Sequence, residues 1–143
     1  MDNTTTYCTF RVDALYLGVD VIQVQEVIRA QATTRVPLAD HEVRGLMNLR
    51  GQIVTAFDLR RRIGLPDRPD HQPPMNVVIR TSDTPVSLLV DEIGDVLEVS
   101  QDQFEPVPHT LQGSPSELIR GAYKLDGRLL LVLDMNQVLK SVA

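Results

Sequence analysis

Three histidines, one cysteine, four aspartates and a run of arginines are the side chains of this sequence best suited to chemistry. His41, His71, His109 and Cys8 are the types that ligate zinc, which needs three or four of them at close, regular spacing. The histidines instead lie far apart in predicted loops and Cys8 stands alone, so they read as surface side chains and no metal is expected. Nucleophilic catalysis needs a base beside the nucleophile. No Gly-x-Ser-x-Gly elbow, phosphate-cradling glycine loop or dinucleotide fingerprint occurs. Asp20, Asp58, Asp91 and Asp134 resemble candidates for paired general acid and base. Each stands where a helix is expected to begin, so the better reading is a carboxylate accepting backbone N–H groups. Arg60-Arg61-Arg62 is the one dense positive patch and reads as the solvated face of a short helix rather than a phosphate site. Nothing here calls for an enzyme or a cofactor.

The elements that carry these residues follow from composition. With 143 residues, 43% of them hydrophobic and 23% charged, the chain suits one domain or two small subdomains sharing a core. There is no Trp, so Val, Leu and Ile must fill the interior, which favours strands. A net charge of -5 and a pI near 5.1 weigh against a general nucleic-acid binder. The lone cysteine gives no internal disulfide. Met1 to Thr6 lacks the charge and apolar run of a signal peptide, and Leu129 to Leu133 is too short to span a bilayer. A cytoplasmic protein without direct membrane contact is expected.

The strongest organisational signal is an internal repeat. Gly45 through Leu59 reads as a strand, a tight turn on Arg50-Gly51, a second strand and a helix started by Asp58. Shifting by 76 positions superposes Gly45 on Gly121, Leu49 on Leu125, Gly51 on Gly127 and Asp58 on Asp134. Asp126-Gly127 is a type I′ turn signal. Gly45, Gly51, Gly121 and Gly127 are therefore assigned to backbone geometry. Upstream, Cys8, Phe10 and Val12 alternate with polar residues as a half-buried strand does, Asp13-Ala14 turns, and Leu15 to Val19 returns. Asp20 with Gln23 resembles a capping box opening a short helix over Val21 to Val27, and His41 to Arg44 one helical turn. Gly64 and Pro66 stop the Asp58 helix, which opposing arginines should keep short. Asn76 to Arg80 and Val86 to Val90 read as strands, Asp91 to Val96 as the counterpart of the Asp20 segment, and Phe104 to Pro115 as a loop.

The expected fold is mainly β: a single domain over 1–143 made of two small antiparallel barrels, or a barrel pair, with short helices. The first barrel is expected at 7–66, a proline-rich connection at 67–75, and the second barrel with a C-terminal helix at 76–143. Val24, Val27 and Ile28 in one half and Ile93, Val96 and Leu97 in the other are either ordinary core between the barrels or the walls of a groove for a partner's amphipathic helix.

Three stretches carry a resemblance to a known family: Val24-Gln25-Glu26-Val27-Ile28-Arg29, Asn48-Leu49-Arg50-Gly51 with its flanks, and Leu89 to Leu97. Together with Phe10 to Val19 and Gly121 to Leu130 they make nearly the whole chain similar to the CheW-like coupling domains of bacterial chemotaxis. The resemblance implies two SH3-like five-stranded barrels and a non-catalytic adaptor. Its partners would be methyl-accepting chemoreceptor tips and the regulatory domain of the histidine kinase CheA, and the protein would be recruited to the inner face of the membrane through receptor arrays. It places Val24, Glu26, Val27 and Arg50 on or near the receptor-binding surface, with an Arg50–Glu26 ion pair as the structural alternative. Asp91, Ile93 and Asp95 become candidates for the kinase contact or the groove's second wall. Thr55-Ala56-Phe57 and the proline-rich loop depart from the family's usual pattern. Two other readings are a CheW-like adaptor of a non-flagellar chemosensory pathway and a small β-barrel nucleic-acid module, the latter opposed by charge and few aromatics.

Overall fold

Alternating apolar residues make Thr4–Val12 (β1) and Leu15–Asp20 (β2) an antiparallel hairpin, turned at Asp13-Ala14 with Asp13 at φ 56°. The computed structural model describes residues 3–107 and 114–141, so His109 and part of the Phe104 to Pro115 loop lie outside the described residues. Asp20 does cap, accepting Ile22 N–H at 3.0 Å, but the helix ends after one 3-10 turn at Val21–Gln23. Val24–Ile28 is a strand, β3, correcting the helix expected there. The reason is tertiary: β-branched Val24 and Val27 gain ladder bonds to a neighbouring strand, worth more than an isolated two-turn helix. His41 to Arg44 likewise forms no helical turn, since β4 begins at Val43.

Val43–Leu49 (β4) and Gln52–Asp58 (β5) form the first repeated hairpin, followed by Leu59–Ile63 (α1). Asp58 caps α1 by accepting Arg60 N–H at 3.0 Å, and Gly64 ends it at φ 94°. Met75–Ile79 (β6), Val86–Val90 (β7) and Glu92–Ser100 (β8) come next; the Asp91 segment is thus a strand, not a capped helix. After the short helix Ser114–Glu117 (α2), Ile119–Leu125 (β9), Arg128–Leu133 (β10) and Met135–Val138 (α3) repeat the β4-β5-α1 unit, with Asp134 as cap.

Each sheet has five strands, in the orders β8-β1-β2-β10-β9 and β3-β6-β7-β5-β4. The orders correct the expected boundaries at 7–66 and 76–143. Each sheet combines the first hairpin of one half of the sequence with the last three strands of the other half, exchanging β1-β2 against β6-β7. The proline-rich stretch joins α1 to β6 and so links strands of one sheet. Parallel pairs seal the exchange: β2 on β10 through Leu17 and Leu131, β5 on β7 through Phe57 and Leu88.

The sheets roll without closing by a hydrogen-bonded seam. Loop residues occupy the edges of β4 and β9 instead, as bridges Thr34–Leu46 and Glu105–Ala122. Burial follows from the rolling. In β10, Leu131 and Leu133 face a core shared by both sheets, whereas Leu130 and Val132 face their own sheet's interior with Tyr7, Tyr16 and Tyr123. In β6, Val77 and Ile79 enter the shared core and Val78 joins Met47, Leu49 and Val54 inside the other sheet. Strands buried on both faces explain continuous apolar runs such as Leu129 to Leu133.

Candidate functional site

The Arg50-Gly51 turn is two residues long, pairing Leu49 with Gln52. Both turn residues have positive φ, 51° and 86°, the type I′ geometry that follows the twist of a hairpin. Asn48 fixes it by accepting Gly51 N–H on its side-chain oxygen at 2.8 Å. A non-glycine residue in this conformation is uncommon, and the turn projects Arg50 outward with its side chain 68% exposed.

Arg50 reaches Glu26 on β3, whose side chain is largely covered, and makes an ion pair with it. β3 and β4 end the same sheet on opposite sides, so the pair spans the gap left by its rolling. The Arg50 hydrogen bond holds the Glu26 carboxyl below the usual carboxylate range. Val24 lies half-buried against the shared core, while Val27 is exposed on the same strand. The structure therefore brings Glu26 and Arg50 together, whereas Val27 points to the opposite face of β3, the face that also carries Val24.

On β8, at the end of the other sheet, Ile93 and Val96 are exposed apolar side chains, Val96 to 60%. Asp95 is exposed and its carbonyl accepts the Thr9 hydroxyl at 2.5 Å. Leu97 turns inward to the tyrosine-rich interior. Asp91 does not belong with them, because it is buried, and this corrects its assignment to a contact surface.

Asp91 anchors a cluster that sequence reasoning missed. It receives Arg60 on both oxygens, Nε at 2.9 Å and Nη2 at 2.6 Å, and Arg68 Nε at 3.1 Å. Arg68 Nη2 is also 3.1 Å from Asp91 Oδ1, without hydrogen-bond geometry. Asp13 N–H donates to Asp91 at 2.7 Å, and Arg68 Nη1 reaches buried Asp58 at 3.4 Å. Burial would raise the Asp91 carboxyl, but the Arg60 and Asp13 hydrogen bonds outweigh it and hold the group below its usual range. Arg60 is accordingly no solvated helix face. Arg61 pairs with Asp67 at 2.9 Å, and Arg62 donates to the carbonyls of Gln137 and Val138 at the end of α3. The signal available in sequence was slight: a charged residue directly after the apolar strand Val86–Val90.

None of these groups makes a nucleophile–base pair. The half-buried Cys8 thiol is pushed up by burial and then by Asp20, which keeps it protonated and a poor nucleophile. Among the described residues no group of three or more His, Cys, Asp or Glu is placed to hold a metal ion, and no helix is long and apolar enough to cross a membrane. What the surface offers is an ion-paired arginine at the hairpin turn and a separate edge strand, β8, with exposed Ile93 and Val96. Such features suit protein contacts.

Comparison with known proteins agrees with the geometry. A family model for the CheW-like domain matches residues 6–143. Chemotaxis protein CheW of Bacillus subtilis is 32% identical over 130 residues, 91% of this chain and 83% of that protein. The Thermotoga maritima chemotaxis protein CheW is 30% identical over 135 residues, 94% and 87% of the two chains. The crystal structure of scaffolding protein TtCheW from Thermoanaerobacter tengcongensis shares the fold with a TM-score of 0.81 at 22% identity, covering 91% of this chain and 88% of that one.

Proposed function

The chain belongs to the CheW-like domain family, and on that premise we propose a non-catalytic adaptor of chemotaxis signalling that joins chemoreceptor tips to the regulatory domain of the kinase CheA. Holding the two together raises their mutual effective concentration, and receptor state then biases the kinase through shared contacts rather than a chemical step. The adaptor acts in the cytoplasm, brought to the membrane by its receptors.

The observation that carries the receptor side is Arg50. A type I′ turn braced by Asn48 presents its guanidinium to solvent, and Glu26 orients it from β3. Glu26 and Arg50 then form the charged part of the receptor contact, and Val24 and Val27 contribute to it from the other face of β3. Exposed Ile93 with Asp95 on β8 supplies the kinase contact from the other sheet.

Two measurements separate the sides. Calorimetric titration with the CheA regulatory domain of the same organism should give saturable binding that Ile93→Glu weakens and Arg50→Glu leaves alone. Reconstituted receptor-dependent kinase activation should fall about tenfold or more in Arg50→Glu, whose circular dichroism and melting stay as in the wild type. Unchanged activation in that variant would remove Arg50 from the receptor surface. Full activation in the Glu26→Arg, Arg50→Glu double variant would make the pair an internal brace instead.

A further inference from the structure

At the rim of the shared core, three segments with no part in the adaptor reading come together. The chain passes from β2 to β3 through Ile22 and Gln23, β6 runs into Arg80 and the turn at Thr81-Ser82, and β10 continues through α3 to Leu139 and Lys140. They line a cavity of about 590 Å³, within the ~300–1,000 Å³ of small-molecule sites. Hydrogen bonds hold each segment. Arg80 N–H donates to the Gln23 carbonyl at 2.8 Å, Asp20 accepts Ile22 N–H at 3.0 Å, and the Thr81 hydroxyl donates to the Thr84 carbonyl at 2.7 Å. Arg62 reaches from α1 to the Gln137 and Val138 carbonyls, just before Leu139 and Lys140.

The lining is part apolar and part cationic. Buried Ile79 and Met135 belong to the shared core, Leu139 packs against it, and Ile22 is 76% exposed. Arg80 and Lys140 are the charged residues. Neither takes part in an ion pair, and no carboxylate lines the cavity, among the described residues. Asp83 of the same turn lines an adjoining cleft with Thr55 and Thr84, while Asp20 and Asp134 are engaged as helix caps. Two unpaired cations thus face one cavity on a chain of net charge -5. The side chains of Gln23, Ser82 and Asn136 also line it, and they donate no hydrogen bond within the described residues.

We propose that this cavity binds a small phosphomonoester with an aliphatic portion. Arg80 and Lys140 hold the phosphate, Gln23, Ser82 and Asn136 donate to its oxygens, and the aliphatic part lies on Ile22 and Leu139. A phosphate brings nearly two negative charges and three acceptor oxygens, which match two cations and three spare donors; a carboxylate brings about half that charge. The source is a free ligand rather than a lipid headgroup, because a net acidic chain is repelled by an anionic bilayer. No Phe or Tyr lines the cavity, so a nucleobase finds nothing to stack on. Glu26, Val27 and Arg50 do not line it either, and the inference does not rest on the adaptor reading.

Calorimetric titration of the full chain with hexyl phosphate tests this. The comparisons are hexanol, inorganic phosphate, a Glu-rich peptide and phosphatidate vesicles. The expected result is saturable binding of hexyl phosphate, displaced by inorganic phosphate at higher concentration, and no binding of the other three. Arg80→Gln and Lys140→Gln should each weaken hexyl phosphate about tenfold. Ile22→Ser should weaken it about fivefold and leave the inorganic phosphate needed for displacement no higher, which a loss of fold would not do. All three side chains are exposed or at the surface of the cavity, so the melting temperature should stay as in the wild type. Arg50→Glu should not change the affinity, so failure here and failure of the receptor assignment are read in different assays. No saturable heat with hexyl phosphate, an affinity unmoved by both charge substitutions, or equal or tighter binding of hexanol, the peptide or the vesicles would each overturn the proposal.

Discussion

Asp91 illustrates how one buried carboxylate can hold two sheets in register. It sits on the single-residue step from β7 to β8, where the chain leaves one sheet for the other, and it binds the β1-β2 turn, α1 and the proline-rich loop at once. Replacing it with Asn keeps the shape but leaves Arg60 buried without its ion-pair partner and Arg68 with Asp58 alone, at 3.4 Å. That loss should cost about 3–5 kcal/mol in urea unfolding; a change below ~1 kcal/mol would show the cluster to be dispensable. The pH dependence has a definite sign. The folded carboxyl titrates below its unfolded value of about 3.9, so its stabilisation is complete above that pH and is lost as pH falls toward the folded value. Unfolding free energy of the wild type should therefore fall below about pH 4 with a component absent from Asp91→Asn. None of this was legible in the sequence. Arg60 and Arg68 lie on opposite sides of the Gly64 and Pro66 helix stop, with no periodicity to say they point inward, and an arginine run reads as solvent-facing until its partners are placed.

The repeated hairpin was the most legible element, and its anchors fell where glycines, turns and capping aspartates put them. Its turns differ in detail. Arg50-Gly51 is the type I′ turn, whereas in Asp126-Gly127 only the glycine has positive φ, so the stronger sequence signal has the other geometry. The glycines at the start of each unit serve a purpose that composition does not reveal. A Cβ on Gly45 would lie 2.5 Å from the Thr34 carbonyl oxygen, and one on Gly121 would strike the Phe104 ring and lie 2.5 Å from the Glu105 carbonyl oxygen. Each makes room for a loop strand to cross the sheet edge one residue on, at Leu46 and at Ala122. Gly127, by contrast, has open space around its missing Cβ. Gly121→Ala should thus cost about 2–3 kcal/mol through displaced backbone, and Gly127→Ala about 1 kcal/mol through conformation alone. Urea midpoints in the reverse order would contradict this account. The helix expected after Asp20 failed for a reason local patterns cannot carry: β3 is a strand only because β6, some fifty residues on, lies beside it.

At the scale of the whole molecule, the halves of the sequence are not the units of the fold. Composition, the repeat and the proline-rich boundary pointed to two small β units, the family resemblance implied five strands in each, and two five-stranded sheets are present. The exchange of hairpins stayed hidden because strand partners are a property of space, and either pairing would satisfy the same apolar pattern. It predicts that neither half folds alone. Expressed separately, 1–70 and 71–143 should each lack a cooperative urea transition, and an equimolar mixture should regain one together with the native circular dichroism. A cooperative transition in either fragment by itself would show that the exchange is not obligatory. The parallel pair of Leu17 with Leu131 carries a further cost in time. During synthesis the amino-terminal hairpin leaves the ribosome more than a hundred residues ahead of the strand it must lie against. At ordinary elongation rates that is roughly 5–25 s as an unsheltered pair of apolar strands. The newborn chain can complete the β3-β6-β7-β5-β4 sheet once β7 is out, but the sheet begun by its first hairpin closes its order only when β9 and β10 emerge, so the strands made first are among the last to be covered.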